Sequence, residues 1–349
     1  MSKEPFVFKS KVRVAISGVC NLNCIYCDNA DFNANRTISM EDFRLRPISE
    51  GVLSLEEYLK VLQSFFDNGF NRVNFTGGEP MLNSEWVSLV NETKQIGFES
   101  VEMTTNGTLI CDHLNRNDGF PQNLDRLIVS MDTCDPTKYR EMVGKNADFS
   151  EVVNGVKMLK RSNPGIKLTA NCVLCQSNRI ELNDYIEFIV QTGFDSVTFL
   201  DLIVRDKRNQ RSVDYFLDEF LSGKEIKQAI KDIYGDLDVS GGRHDYNVVA
   251  PSGLNISVVD TQGPTRRDEL CDDCSRYCQE GYYTCKVATD GTIIDCLGGI
   301  SIDARNELKH GDLDAAIKRM YDRLAKGKEG FHFDEFYSTL SGSRTRHHT

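Results

Sequence analysis

The chain predicts an α/β fold in which six strands run parallel in one sheet, open or curled into a partial barrel, with helices between them. Three observations predict it. Short runs rich in β-branched and aromatic residues recur from Val12 to Leu200. Segments with apolar residues at helical spacing separate most of them, and after about Asp201 the alternation gives way to a cysteine-rich stretch. Strands that alternate with helices read as βαβ units. Right-handed crossovers then put any site at the carboxyl ends of the strands.

The first strand, Val12-Arg13-Val14-Ala15-Ile16, delivers a cysteine loop. Residues 28–53 are polar and irregular, with Arg36, Arg44 and Arg46. A stretch of that length is functional or holds a short helix. Leu55, Leu59, Leu62, Phe65 and Phe66 then recur at helical spacing. Ser54 is their N-cap, and Glu57 three residues on completes a capping box. Further strands are read at 73–75, 100–103, 127–130, 167–173 and 196–200, and helices at 86–95, 152–161 and 183–191. Residues 206–232 are charged and helical, and short strands at 246–250 and 255–259 flank a Pro251-Ser252-Gly253 turn. The organisation is residues 1–205 for the β/α units, 206–340 for a cysteine-bearing C-terminal region, and 341–349 for a tail. His347 and His348 of that tail enter no metal argument.

The 349 residues carry a net charge of −11, which argues against nucleic acid as a partner, because neutralising phosphates needs Lys and Arg. No apolar run reaches membrane-spanning length and no signal-peptide pattern opens the chain, so a cytoplasmic protein without a membrane partner is expected. In that reducing compartment the 12 cysteines favour metal ligation over disulfides.

Three of them, Cys20, Cys24 and Cys27, stand at C-x3-C-x2-C spacing in CNLNCIYC, with Tyr26 before the last. Thiolates ligate iron–sulfur clusters, and three ligands leave one iron of a cubane open to a substrate or cosubstrate. The alternatives are unrelated buried cysteines or a zinc site, although closed structural zinc wants four ligands and no fourth lies nearby. After the second strand comes Thr76-Gly77-Gly78-Glu79-Pro80, whose glycines allow close backbone approach and whose carboxylate can accept from an ammonium group. A second group, Cys271, Cys274, Cys278, Cys285 and Cys296, falls within 26 residues. It provides for another iron–sulfur cluster, with a zinc knuckle as the alternative. Cys111, Cys134 and Cys172 are read as small buried hydrophobes, with the Cys172 and Cys175 pair set apart from both clusters.

The cysteine spacing with its aromatic, followed by Gly-Gly-Glu-Pro, resembles the radical S-adenosylmethionine superfamily. Within it the chain is most similar to the molybdenum-cofactor GTP cyclases. Arg13 to Ser17 resembles their first strand, Thr104-Thr105-Asn106-Gly107 their TTNG turn, and Val129-Ser130-Met131-Asp132 their VSLD strand. Asn171-Cys172-Val173, Asn178, Phe199-Leu200-Asp201-Leu202 and the C-terminal cysteine segment continue the likeness. The resemblance implies a partial (β/α)6 TIM-type barrel with a C-terminal auxiliary-cluster extension. Its cofactors would be two [4Fe-4S] clusters and S-adenosylmethionine. Cys20, Cys24 and Cys27 would ligate the first cluster. Cys271, Cys274 and Cys296 would ligate the second, with Cys278 as fourth ligand and Cys285 spare. Thr76, Gly77, Gly78 and Glu79 would hold the methionine amino group. Tyr26, Thr105, Asn106, Ser130 and Asn171 would line the rest of the cosubstrate pocket. Arg13 would face the space between cosubstrate and substrate, with Lys167 and Lys286 as further candidate catalytic residues.

The departures from the cyclases concern their triphosphate. Asn83, Thr169 and Thr198 stand where those enzymes place Arg or Lys, the loop carrying Cys278 and Cys285 is longer, and the C-terminal Gly-Gly is absent. The expectation is therefore a relative with the same radical generator and a different small metabolite, such as a nucleoside, a nucleotide-sugar or an amino-acid-derived intermediate. Such an enzyme, an oxidoreductase or lyase of a natural-product or cofactor pathway, would draw its electron from a flavodoxin or ferredoxin. The alternatives are a ribosomal-peptide-modifying radical enzyme, the GTP cyclase itself, and a non-enzymatic iron–sulfur electron carrier. The short lead before the first strand weighs against the peptide reading. The carrier reading leaves GGEP, TTNG and VSMD unexplained.

Overall fold

The computed structural model describes residues 10–27, 36–37, 52–116, 120–144, 147–203, 210–235, 246–261, 265–271, 283–296 and 299–330. One sheet forms its centre. The strands are β1 (Lys11–Ser17), β2 (Arg72–Gly77), β3 (Ser100–Thr105), β4 (Arg126–Ser130), β5 (Lys167–Val173), β6 (Ser196–Leu200), β7 (Tyr246–Val249), β8 (Asn255–Val259), β9 (Thr284–Val287), β10 (Thr292–Ile294) and β11 (Ser301–Asp303). They lie in the order β11-β10-β9-β1-β2-β3-β4-β5-β6-β8-β7. From β9 through β1–β6 to β8 every neighbour is parallel, while β7, β10 and β11 join antiparallel. The architecture is the expected partial barrel, unclosed among the described residues.

The C-terminal region does more than extend this barrel. It adds β8 and β7 outside β6, and β9 to β11 outside β1. The edges of a six-stranded sheet expose unpaired N–H and C=O groups, and these strands pair them.

Helices α1 (Leu55–Asp67), α2 (Trp86–Ile96), α3 (Ile110–Leu114), α4 (Pro136–Val143), α5 (Phe149–Ser162) and α6 (Leu182–Thr192) alternate with the barrel strands. Then come α7 (Gln210–Glu219), α8 (Gly223–Tyr234), α9 (Ala304–His310) and α10 (Leu313–Lys326). The α1 capping box forms as expected: the Glu57 amide donates to Ser54 Oγ at 3.2 Å and the Ser54 amide to Glu57 Oε2 at 2.8 Å. The sequence reading missed α4, which is only 8 residues long and starts from an Asp135 cap with Pro136 in its first turn. It also missed α9 and α10. Phe70 packs edge-on against Phe65 at 4.9 Å and against Tyr321 at 5.4 Å, which fastens α10 beside α1. Arg305 of α9 donates to Glu57 at 3.0 Å and to the Val52 carbonyl at 2.7 Å.

The strands have two unlike faces, as a period of two requires. Val12, Val14, Val73, Phe75, Val101, Met103, Leu127, Val129, Leu168, Val197, Phe199, Ile256, Val258 and Val287 form the buried apolar face. The other face is polar. On it Glu102 bridges Lys11 and Arg72, each at 2.7 Å, Thr104 bonds Asn74 at 3.2 Å, and Thr169 bonds Ser196 at 2.7 Å. Despite the cost of burial, Lys11 and then Arg72 hold the Glu102 carboxyl down at about 2. Register aligns Arg13 with Lys286, Asn74 and, across β2, Glu102, and Arg126 with Glu102 and Lys167. The inner face is thus rich in cations within an acidic chain.

Candidate active site

The cysteine loop leaves the carboxyl end of β1. Its tight seat on the neighbouring turns follows from two glycines. A Cβ on Gly77, which has φ 136°, would meet the Ser17 carbonyl oxygen at 2.4 Å, and one on Gly78 would meet the Val19 carbonyl oxygen at 2.0 Å. The Gly78 amide donates to Ser17 O at 2.8 Å and the Glu79 amide to Val19 O at 2.7 Å. Asn83 adds a bond from Nδ2 to Ile16 O at 2.7 Å. The glycines therefore allow one protein loop to approach another closely.

Other elements hold the loop from its far side. The last carbonyls of α4, on Val143 and Met142, accept from the amides of Asn23 and Ile25 at 3.1 and 2.9 Å. These are among the acceptors that a helix C-terminus leaves open. Asn106 Nδ2 donates to Asn21 Oδ1 at 2.8 Å and lies 3.7 Å from Cys20 Sγ. The two-residue strand Val19–Cys20 pairs parallel with Arg36–Thr37. Tyr26, with its hydroxyl buried, donates to Asp132.

Two buried carboxylates flank the cysteines. Glu79 is 0% exposed and accepts from Thr105 Oγ1 at 2.7 Å, the Asn106 amide at 2.8 Å and the Met81 amide at 3.0 Å. Burial pushes its carboxyl up to about 7 against those bonds. Burial also raises Asp132 to about 6, opposed by the Tyr26 hydroxyl and the Val173 amide. Burial, with Glu79 and Cys27 close by, pushes Cys20 up to about 12. Cys24 is raised by burial and then by Cys27, Asp132 and Cys20.

This donor set fits an iron–sulfur cluster. Three thiols lie close enough to oppose one another's ionisation, between two carboxylates, and a cationic centre relieves that by binding them as thiolates. Among the described residues no three His, Cys, Asp or Glu side chains are placed as ligands of a single metal ion. A cubane takes each thiolate on its own iron and does not require that convergence.

Residues 14–189 match the Radical SAM superfamily, which is half of the chain. The chain belongs to the radical S-adenosylmethionine superfamily. It is 24% identical over 329 residues to the GTP 3′,8-cyclase of Rhizobium etli, covering 92% of this chain and 85% of that one. It is 31% identical over 192 residues to a probable GTP 3′,8-cyclase of Sulfurisphaera tokodaii, covering 55% of each. Among solved structures, Streptococcus suis SuiB superposes with a TM-score of 0.54 at 15% identity, over 83% of this chain and 60% of that one. The chain thus spans about 60% of the length of SuiB. The enzyme anSMEcpe with bound AdoMet gives a TM-score of 0.50 at 15% identity, over 89% of this chain and 83% of that one. Both likenesses show the fold.

For a radical S-adenosylmethionine enzyme, an iron–sulfur cluster and S-adenosylmethionine are the cofactors, and the cysteine loop stands at the strand ends where the fold puts a site. The structure gathers Cys20, Cys24, Cys27, Tyr26, Glu79, Thr105 and Asn106 there. Ser130 at the end of β4 and Asn171, two residues before the end of β5, are register partners and stay half-buried, and Thr76 is buried beside Gly77. Thr105 supports Glu79 and the Gly107 amide from a buried position. Among the described residues the bonds from Thr105, Asn106 and Met81 occupy three of about four acceptor positions of Glu79. Arg13 and Lys286 lie lower on the inner face, four residues before the end of β1, about 13 Å at strand rise. Lys167 opens β5 at the opposite end and is exposed, so the fold separates it from the cysteine loop. Cys285 points into the apolar core, 4.0 Å from Met320 Sδ. Cys274, Cys278, Arg44 and Arg46 lie outside the described residues. Sequence reasoning quoted Asp132 within VSMD without assigning it a role. It missed Asp268, Asp295 and Arg323, which no local motif marks.

Proposed function

We propose that this chain acts on an anionic small metabolite of the nucleotide class, with cyclisation of GTP as the first candidate reaction. The observation that carries the reading is the inner face below the cysteine loop, where Arg13 of β1 and Lys286 of β9 are register partners. A polyanion needs several charge-assisted contacts, and Arg13 and Lys286 supply two of them in a chain that is acidic overall. The GTP 3′,8-cyclase relative aligned over 92% of the chain supports the same reading.

The earlier expectation of a substrate other than GTP rested on Asn83, Thr169 and Thr198. Asn83 and Thr169 are engaged in bonds within the fold, to Ile16 O and Ser196 Oγ, so their neutrality is offset by cations elsewhere on the face. A second reading, a cyclase relative with a changed substrate, is favoured by that same engagement of Asn83. That bond occupies the Asn83 amide donor that would otherwise meet a phosphate.

Cys20, Cys24 and Cys27 would hold the cluster, which would supply one electron for reductive cleavage of S-adenosylmethionine to methionine and a 5′-deoxyadenosyl radical. Glu79 orients the methionine ammonium through its remaining acceptor position. Arg13 and Lys286 hold the substrate anion and keep its reacting carbon toward the strand ends. Cys271, Cys274 and Cys296, with Cys278 as fourth ligand, hold a second [4Fe-4S] cluster. A flavodoxin or ferredoxin in the cytoplasm is the electron donor.

The test is the reduced, reconstituted protein incubated with S-adenosylmethionine and GTP, with products read by mass spectrometry. Multiple turnovers to a cyclised pterin precursor support the first reading. Deoxyadenosine without any GTP-derived product leaves the second. Failure to form deoxyadenosine under any reductant sinks both.

A further inference from the structure

Arg323 of α10 links the two described cysteine-bearing segments of the C-terminal region. Its side chain is 9% exposed. Nε donates to Asp268, Nη2 to Asp268 Oδ1 at 3.1 Å, and Nη1 to Asp295 Oδ2 at 2.8 Å. Nη1 also lies 3.8 Å from Cys296 Sγ. Asp268 reaches on to Cys271: its amide donates to Cys271 Sγ at 3.5 Å, and the Cys271 thiol lies 3.6 Å from Asp268 Oδ1. One side chain on a distant helix therefore touches Cys296 directly and Cys271 through a single carboxylate.

Gly299 makes the same point from the other side. A Cβ there would lie 2.1 Å from Arg323 Nη1, 2.1 Å from Asp295 Oδ1 and 2.7 Å from Cys296 Sγ. The space that only glycine leaves is filled by this guanidinium, its carboxylate and the cysteine sulfur. Two half-buried thiols on separate segments that meet at one node fit a shared cluster.

We propose that Arg323 is a positioning residue of the C-terminal iron–sulfur site: it ties the Cys271 and Cys296 segments together and donates Nη1–H toward the Cys296 sulfur, raising the reduction potential of that cluster. The proposal rests on the reading that these cysteines hold a cluster. Hydrogen bonds to ligand sulfurs, and outer partners that orient ligands, are among the protein's means of setting such potentials. Asp268 and Asp295 fix the guanidinium plane, and Arg suits this because its rigid fork serves two carboxylates at once.

The experiment uses full-length protein in which Cys20, Cys24 and Cys27 are replaced by Ala, so that iron reports only the C-terminal site. Reconstitution with iron and sulfide is followed by iron analysis and by a redox titration monitored by electron paramagnetic resonance. The parent should bind about four irons per chain. Arg323→Gln should lower the midpoint potential and reduce iron retention. Arg323→Lys, which keeps the charge and loses the fork, should retain iron and shift the midpoint in the same direction by less. It carries the comparison if the Gln protein loses its iron. An unchanged midpoint in the variants that hold a cluster overturns the role of Arg323 and leaves the cluster reading intact. A parent that binds no iron, or zinc instead, overturns the cluster reading and with it the proposal.

Discussion

The two cysteine regions are held by different means. Cys20, Cys24 and Cys27 lie within eight residues, and their loop is fixed by backbone contacts to turns at the carboxyl ends of neighbouring strands. Its polar neighbours are mostly neutral groups around two buried carboxylates. Cys271 and Cys296 are 25 positions apart and meet at an ion-pair node whose cation lies a further 27 positions on. The first region is shaped by close backbone fit. The second depends on charges whose desolvation is repaid only while all three partners stay in place.

Breaking the first region should give the largest effects. Replacing Cys20, Cys24 and Cys27 by Ala should reduce deoxyadenosine formation to background while the C-terminal site keeps its iron. Retained cleavage would sink the assignment of the open-iron cluster. Gly78→Ala comes next. Its methyl would overlap the Val19 carbonyl, which is backbone and cannot rotate aside. We expect a loss of about 3 kcal/mol or more in chemical unfolding, together with a hundredfold or greater fall in cleavage rate. A wild-type melting curve would show that the two loops are not in contact.

Glu79 sharpens the comparison through pH. Its carboxyl sits at about 7 in the fold, above the ordinary value of 4.5, because burial disfavours the charge. The sign follows: the protonated form is stabilised, so this group's contribution to stability is present at low pH and is lost as pH rises from 4.5 through 7. Binding of an ammonium requires the ionised form. Affinity for S-adenosylmethionine should therefore fall about tenfold between pH 8 and pH 6, as one pKa unit is a factor of ten. Glu79→Gln should bind weakly and without that slope in isothermal titration. A slope that survives the substitution would assign the ammonium to another group.

The smallest effect is expected at Tyr26. Tyr26→Phe leaves the buried Asp132 carboxylate with one donor fewer, which costs about 1–3 kcal/mol. Thermal unfolding should show it, with cluster content preserved. Loss of the cluster in this variant would mean that the hydroxyl holds the cysteine loop itself.

Much of the fold was legible because its signals are local. The β/α alternation, the Ser54 capping box and the strand positions depend on neighbours within a few residues, and these features stand where the sequence put them. The first cysteine site was legible for the same reason, since its three thiols share one loop. The role of Gly77 and Gly78 was half legible. The sequence indicated close approach, and the fold made Ser17 and Val19 the partners.

By itself the sequence determined the parallel α/β core, the radical S-adenosylmethionine signature and the existence of two cysteine clusters. Only the tertiary structure decided that the C-terminal region pairs both edges of the sheet, and that Lys167 faces the end away from the cysteine loop. It alone placed Arg323 between Asp268, Asp295 and Cys296. The physical reason is separation along the chain. Periodicity and motif spacing report forces between near neighbours, whereas edge pairing and a buried ion-pair node are chosen by which distant surfaces remain unsatisfied once the core has formed.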